Sequence, residues 1–180
     1  GMGAALYMAL SRTLIRTFAA DYDTAPAKVL EAANQRVLAD TSSDLFVTVF
    51  YAILEPESGQ LTYCNAGHNP PFLHSGNGAG LQTLNRTAIP VGVLDETIWE
   101  QGSVQMEPGD LLVMYTDGVT EAEDEDADFF GEERLLAVTK ANLGRSADII
   151  DSKVVTAVLD FVGDAPQFDD ITLMILAREK

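Results

Sequence analysis

Apolar positions change their spacing several times along the chain, and each change predicts an element. In residues 4–19, Leu6, Leu10, Leu14 and Phe18 recur every fourth position with Ile15 beside them, which is one face of a helix. Thr24 and Pro26 mark a helix start, and Val29, Leu30, Ala33, Val37 and Leu38 give a second amphipathic helix. The run LFVTVFYAIL, residues 45–54, is β-branched, aromatic-rich and apolar on both faces. It predicts a strand covered on both sides. EPESGQ is a turn, and LTYCNAG is the returning strand of a hairpin.

HNPPFLH reads as extended, because two prolines forbid a helix and limit ladder pairing. SGNGAG reads as a flexible loop tip. A strand is expected around Ile98–Met106, then the turn EPGD, then a strand over 110–115. EAEDEDAD is an acidic loop. Helices are expected near Glu132–Asn142 and over Ala147–Val162, the second with Ile150, Val154, Val158 and Phe161 on one face. The strand ITLMILA closes the chain. Helices, strands, helices and a strand, with hairpin-length connections and no βαβ alternation, predict an α+β fold with antiparallel sheets. No internal repeat or linker divides the 180 residues, which read as a single domain.

Composition narrows the function. With 47% hydrophobic residues the chain has material for a core, and it is not a disordered one. The net charge of −17 argues against nucleic acid or an anionic membrane as a partner. An anionic substrate would need positive charge from elsewhere, and divalent metal ions are the natural source. Solubility alone also accounts for such a charge. No apolar run approaches a membrane span, and no signal peptide is visible. A single cysteine, Cys64, excludes an internal disulfide and fits a reducing cytoplasm; within a strand it reads as a core residue.

Two carboxylate sites stand beside core strands. Asp117 follows the strand over 110–115, and Asp169 and Asp170 precede ITLMILA. If those strands pair antiparallel, the carboxylates meet at one sheet end, which suits a hard cation such as Mg²⁺ or Mn²⁺. Gly118 would let the backbone turn closely there. The alternative makes the same aspartates turn residues and caps. Asp124, Asp126 and Asp128 have the first spacings of a calcium loop. Phe129 and Leu135 stand where that loop needs Gly and Glu, so the segment reads as a solvated charge run. His68, in NAGHNPP, offers a general acid or base without an accompanying nucleophile. Asn65, Gly67 and Asn69 around it favour a structural turn. His74 reads as a surface residue.

Four motifs in order, NAGHNPP, PGDLLVMYTDGVTEA, FGEERL and PQFDDITLMIL, resemble the SpoIIE-type serine phosphatases of the metal-dependent type 2C class. GAALYMAL and DLFVTVFYAIL extend the resemblance over essentially the whole chain. It implies a sandwich of two antiparallel sheets flanked by helix pairs. It implies two Mn²⁺ or Mg²⁺ ions bridged by a water that attacks phosphorus, with Asp117 and Asp169 as metal ligands. Asp170, Gly118 and the turn of His68 and Asn69 would be supporting residues. The implied substrate is a phosphoserine or phosphothreonine on an antagonist of an anti-sigma factor, in a partner-switching pathway of the cytoplasm. An upstream sensor or regulatory domain would accompany it.

The family places a further acidic motif, of the form D-V-x-G-K-G, just before the helix that here begins GMGAALYMAL. Gly1 falls where that motif should be ending. The chain is therefore expected to be the C-terminal portion of such a domain, weakly active or inactive alone and open to self-association. The alternative is a non-catalytic interaction module of the same fold.

Overall fold

A computed structural model describes residues 2–41, 45–166 and 169–179. Gly1, Asp44 of the DLF run and the Gln167-Phe168 step of the last motif lie outside the described residues. The fold is α+β with two antiparallel sheets, each accompanied by helices. The chain forms two compact units, Gly1–His68 with Leu84–Gln105, and Asn69–Thr83 with Met106–Lys180.

The first unit opens with helices α1 (Met2–Ala19) and α2 (Pro26–Asp40). Ala25 rather than Thr24 stands at the N-cap of α2, without a side-chain cap, and Pro26 supplies the preset φ of the first helical position. The sheet runs β1 (Val49–Leu54), β2 (Gln60–Ala66), β5 (Gly102–Gln105). β1 and β2 form the expected hairpin, from Val49 opposite Ala66 to Leu54 opposite Leu61. β1 starts later than its apolar run: Leu45 and Phe46 are exposed, and Val47 makes only an isolated bridge to Val91. It is half-buried throughout, not covered on both faces, as befits a strand at the edge of its sheet. β5 is also shorter than expected, and Ile98 is 77% exposed. Tyr7, Leu30, Val37, Cys64, Ala66 and Val91 form the core, which confirms Cys64 as interior. Burial pushes its thiol pKa up.

The second unit holds the sheet β4 (Leu81–Thr83), β3 (Phe72–His74), β6 (Leu111–Tyr115), β7 (Leu173–Ala177), with every pairing antiparallel. The two prolines of HNPP precede β3, so the strand keeps its amides and pairs on both edges. Helices α4 (Gly131–Ala141) and α5 (Ala147–Val162) carry Leu135, Ile150, Val154 and Val158 into a core with Phe72, Val113, Tyr115 and Phe130. Full burial of side chains of this size is worth about 1.5–3 kcal/mol each.

His74 corrects an expectation. It is 4% exposed, held between β3 and α4 by a 3.0 Å hydrogen bond between its Nε2 and Thr139 Oγ1. Strand alternation puts it on the face of Phe72, the core face, and there it meets Thr139 of α4. A short helix, α3 (Asp117–Thr120), also appears where the sequence shows only a turn.

Candidate functional site at the end of strand β6

β6 and β7 pair from Leu111 opposite Ala177 to Tyr115 opposite Leu173. That register meets the condition left open by the sequence and brings the residues after β6 and those before β7 to one sheet end. Thr116 then fastens them. Its N–H donates to the Thr172 carbonyl at 3.0 Å, and its Oγ1 accepts the Thr172 N–H at 3.1 Å. The same hydroxyl lies 3.3 Å from the Asp170 carbonyl oxygen.

Gly118 is required by this approach. A Cβ there would stand 2.4 Å from the Asp170 carbonyl oxygen, nearer than side-chain carbons come to backbone. Asp170 thus meets the site through its main chain, while its carboxylate is exposed.

Asp117 and Asp169 are both exposed. Asp117 Oδ1 accepts the Gly118 N–H at 3.1 Å, and Asp169 Oδ1 accepts the Asp170 N–H at 2.7 Å. Each of these bonds is to the next residue along the chain. Gly118 and Asp169 line a cavity of about 40 Å³ with Glu121, Glu123, Leu159 and Ile171. Glu121 and Glu123 thus share a cavity wall with Asp169. The sequence shows them only as part of an acidic run, because α3, the turn that swings them round, has no signature of its own. The rest of that run folds on itself: Asp124 Oδ1 accepts the amides of Asp126 and Asp128, each at 3.0 Å.

A divalent cation fits this end in part. Two carboxylates on opposite strands supply hard anionic oxygens. Among the described residues, however, no three His, Cys, Asp or Glu side chains form a metal-binding group. The chain's own donors fill a fraction of the shell that Mg²⁺ or Mn²⁺ needs.

His68 and Asn69 are half-buried and fall on either side of the division between the units. The His68 N–H donates to Asn65 Oδ1 at 2.9 Å. Asn65 is fully buried in β2, and its Nδ2 donates to the Leu84 carbonyl at 3.1 Å. Gly67 follows with φ 77°, packed so that a Cβ would lie 2.6 Å from Pro90. The NAGH segment has the construction of a structural turn anchored by a buried asparagine.

Comparison with known proteins agrees with this architecture. The family model described as "Stage II sporulation protein E (SpoIIE)" matches residues 1–179. Protein IcfG of Synechocystis is 28% identical over 99% of the chain, which covers 32% of that protein. Phosphoserine phosphatase RsbU of Bacillus subtilis is 29% identical over 86% of the chain, covering 45% of its length. The chain thus spans less than half of each. The SiaA-PP2C domain of Pseudomonas aeruginosa shares the fold with a TM-score of 0.83 at 19% identity, over 98% of this chain and 70% of that one.

Proposed function

The chain belongs to the SpoIIE family, and on that premise we propose that it forms part of a metal-dependent protein serine/threonine phosphatase. The observation that carries the reading is the meeting of Asp117 and Asp169 at one end of the β6–β7 pair, with Gly118 against the Asp170 carbonyl. RsbU, a relative at 29% identity, carries the name phosphoserine phosphatase. The proposed substrate is accordingly a phosphoserine or phosphothreonine on an antagonist protein in a partner-switching pathway of the cytoplasm. An upstream regulatory domain would control it.

Asp117 and Asp169 would hold Mn²⁺ or Mg²⁺, two ions in the complete domain. A divalent ion supplies a water of lowered pKa and positive charge for the phosphate oxygens. The protein's part is to place the two carboxylates. Thr116 fixes the spacing of the two strand ends, Gly118 permits their close approach, and Asp170 holds the backbone on the far side. With 28 acidic against 11 basic side chains, the protein itself brings little positive charge to a phosphate ester.

A second reading, an interaction module without catalysis, is favoured by one observation: among the described residues no three His, Cys, Asp or Glu side chains form a group that could hold a metal. Hydrolysis of a phosphoserine peptide, assayed with Mn²⁺, with Mg²⁺ and with a chelator, separates the two. The phosphatase reading expects metal-dependent turnover in a longer protein that supplies the family's further acidic motif, and slow or no turnover in a chain without that motif. Binding of a phosphorylated antagonist by the longer protein with no hydrolysis under any metal would select the interaction module.

A further inference from the structure

His74, Glu133 and Lys140 surround a pocket that the phosphatase reading does not use. It measures about 420 Å³ and lies between the α4 face of Glu133, Leu136 and Lys140 and the turn that joins β3 to β4, with Leu81 on its wall. The volume is within the range of small-molecule sites, about 300–1,000 Å³. The turn is fixed by its own bonds: Ser75 N–H donates to the Gly80 carbonyl at 2.9 Å, and Ala79 N–H to Asn77 Oδ1 at 2.8 Å.

The hydrogen bonds around Thr139 decide the state of the buried histidine. Thr139 Oγ1 lies 2.9 Å from the Leu135 carbonyl and 3.1 Å from that of Leu136, so its proton is spent on its own helix. Its lone pair therefore accepts from His74, and Nε2 carries the ring proton. Burial and the nearby Lys140 charge lower the His74 pKa, which keeps the ring neutral. Nδ1 is left as a bare acceptor on a side chain that is 4% exposed and lines the pocket, with no protein donor among the described residues. Nδ1 is thus an acceptor open to the pocket, able to take a donor from a ligand that enters it.

We propose that this pocket is a binding site for an α-amino acid with an aliphatic side chain. Three features of the lining match three features of that ligand. His74 Nδ1 and the Glu133 carboxylate accept from an ammonium group. Lys140 meets the carboxylate. Leu81, Leu136 and Ala137 supply the apolar contact for the side chain. The site stands apart from Asp117 and Asp169, and the inference does not depend on the phosphatase reading.

L-Leucine titrated into protein labelled with ¹⁵N in its histidines tests the proposal. Binding is expected to be saturable and to move the His74 Nδ1 resonance as its lone pair gains a donor. N-acetyl-L-leucine, which lacks the ammonium, and leucinol, which lacks the carboxylate, should each bind about tenfold more weakly or worse. Glu133→Gln and Lys140→Gln change exposed side chains, and each should weaken leucine by about tenfold while leaving thermal unfolding unchanged. No saturable change up to about 50 mM leucine, a range that would still reveal very weak sites, would overturn the proposal. So would equal binding of N-acetyl-L-leucine, or binding that leaves the His74 resonance where it was.

Discussion

Asp110 and Asp117 bracket β6 from its two ends, and their surroundings differ in every respect that matters. Asp110 is 7% exposed. Its Oδ1 accepts the Gly76 N–H at 2.8 Å and its Oδ2 the Glu107 N–H at 2.8 Å. Its carbonyl accepts the Arg178 N–H at 3.0 Å, tying the start of β6 to the end of β7. Asp117 is exposed, and its carboxylate has one side-chain bond, to the adjacent amide. The same residue type at the two ends of one strand is held in opposite ways. A carboxylate whose oxygens are taken up by backbone amides is part of the fold, whereas an exposed one such as Asp117 is the kind the proposed cation site would need.

The largest expected effect on stability lies at the Asp110 end. Asp110→Ala removes the acceptor of two amides in a buried setting and should cost about 2–4 kcal/mol in denaturant unfolding. Asp110→Asn, which keeps one acceptor oxygen, should cost less. A neutral result for the alanine variant would erase the distinction between the two ends.

Gly118→Ala should come next. Its methyl group would meet the Asp170 carbonyl at 2.4 Å, so the strand ends must part, at about 1–3 kcal/mol. Unlike Asp110→Ala, it should also abolish phosphatase activity in the longer protein, because the spacing of the two carboxylates changes.

A smaller effect is pH-dependent and again belongs to the buried end, where His74 pairs with Leu111. Burial and Lys140 lower the His74 pKa from its ordinary 6.5, so the folded state favours the neutral ring. His74 therefore adds no pH dependence well above pH 6.5. Below it, the unfolded chain takes up the proton more readily and stability falls. Glutamine at position 74 should flatten that part of the stability curve, measured by thermal unfolding between neutral pH and mild acid.

The smallest expected effect on stability is at Asp117 itself. Asp117→Asn and Asp169→Asn should change unfolding free energy by no more than about 0.5 kcal/mol, as exposed substitutions do. In the longer protein both should nonetheless greatly reduce Mn²⁺-dependent turnover. Asp170→Asn should be milder in activity, since Asp170 meets its neighbours through its backbone carbonyl.

Much of this was legible beforehand. The face of Ile150, Val154 and Val158 located a helix by the stripe it buries. The four-residue spacing of Leu6 to Phe18 located α1 but not its buried side, which holds Tyr7 and Ser11, while Leu6 is exposed. The apolar runs over 110–115 and ITLMILA located two strands, and their antiparallel pairing, which the sequence left as a condition, brings the segments of Asp117 and Asp169 to one sheet end. What the sequence concealed depends on which element covers which. His74 is buried because α4 lies over it, and Thr139 is its partner from 65 residues away. Asp110 in EPGD looks like any turn aspartate until Gly76 is found donating to it. Glu121 and Glu123 come to line one cavity with Asp169 after a helical turn too short to have a periodicity.

The central claim is that the exposed end of β6 takes a divalent cation and the buried end does not. Paramagnetic broadening of backbone amide signals by Mn²⁺ tests it directly on this chain, since weak binding is enough to broaden neighbours. The prediction is that amides of Gly118 and Asp170 broaden first, that those of Gly76 and Glu107 stay sharp, and that Asp117→Asn removes the effect. Broadening that is uniform over the acidic surface, or that persists at Gly118 and Asp170 in Asp117→Asn, would contradict it.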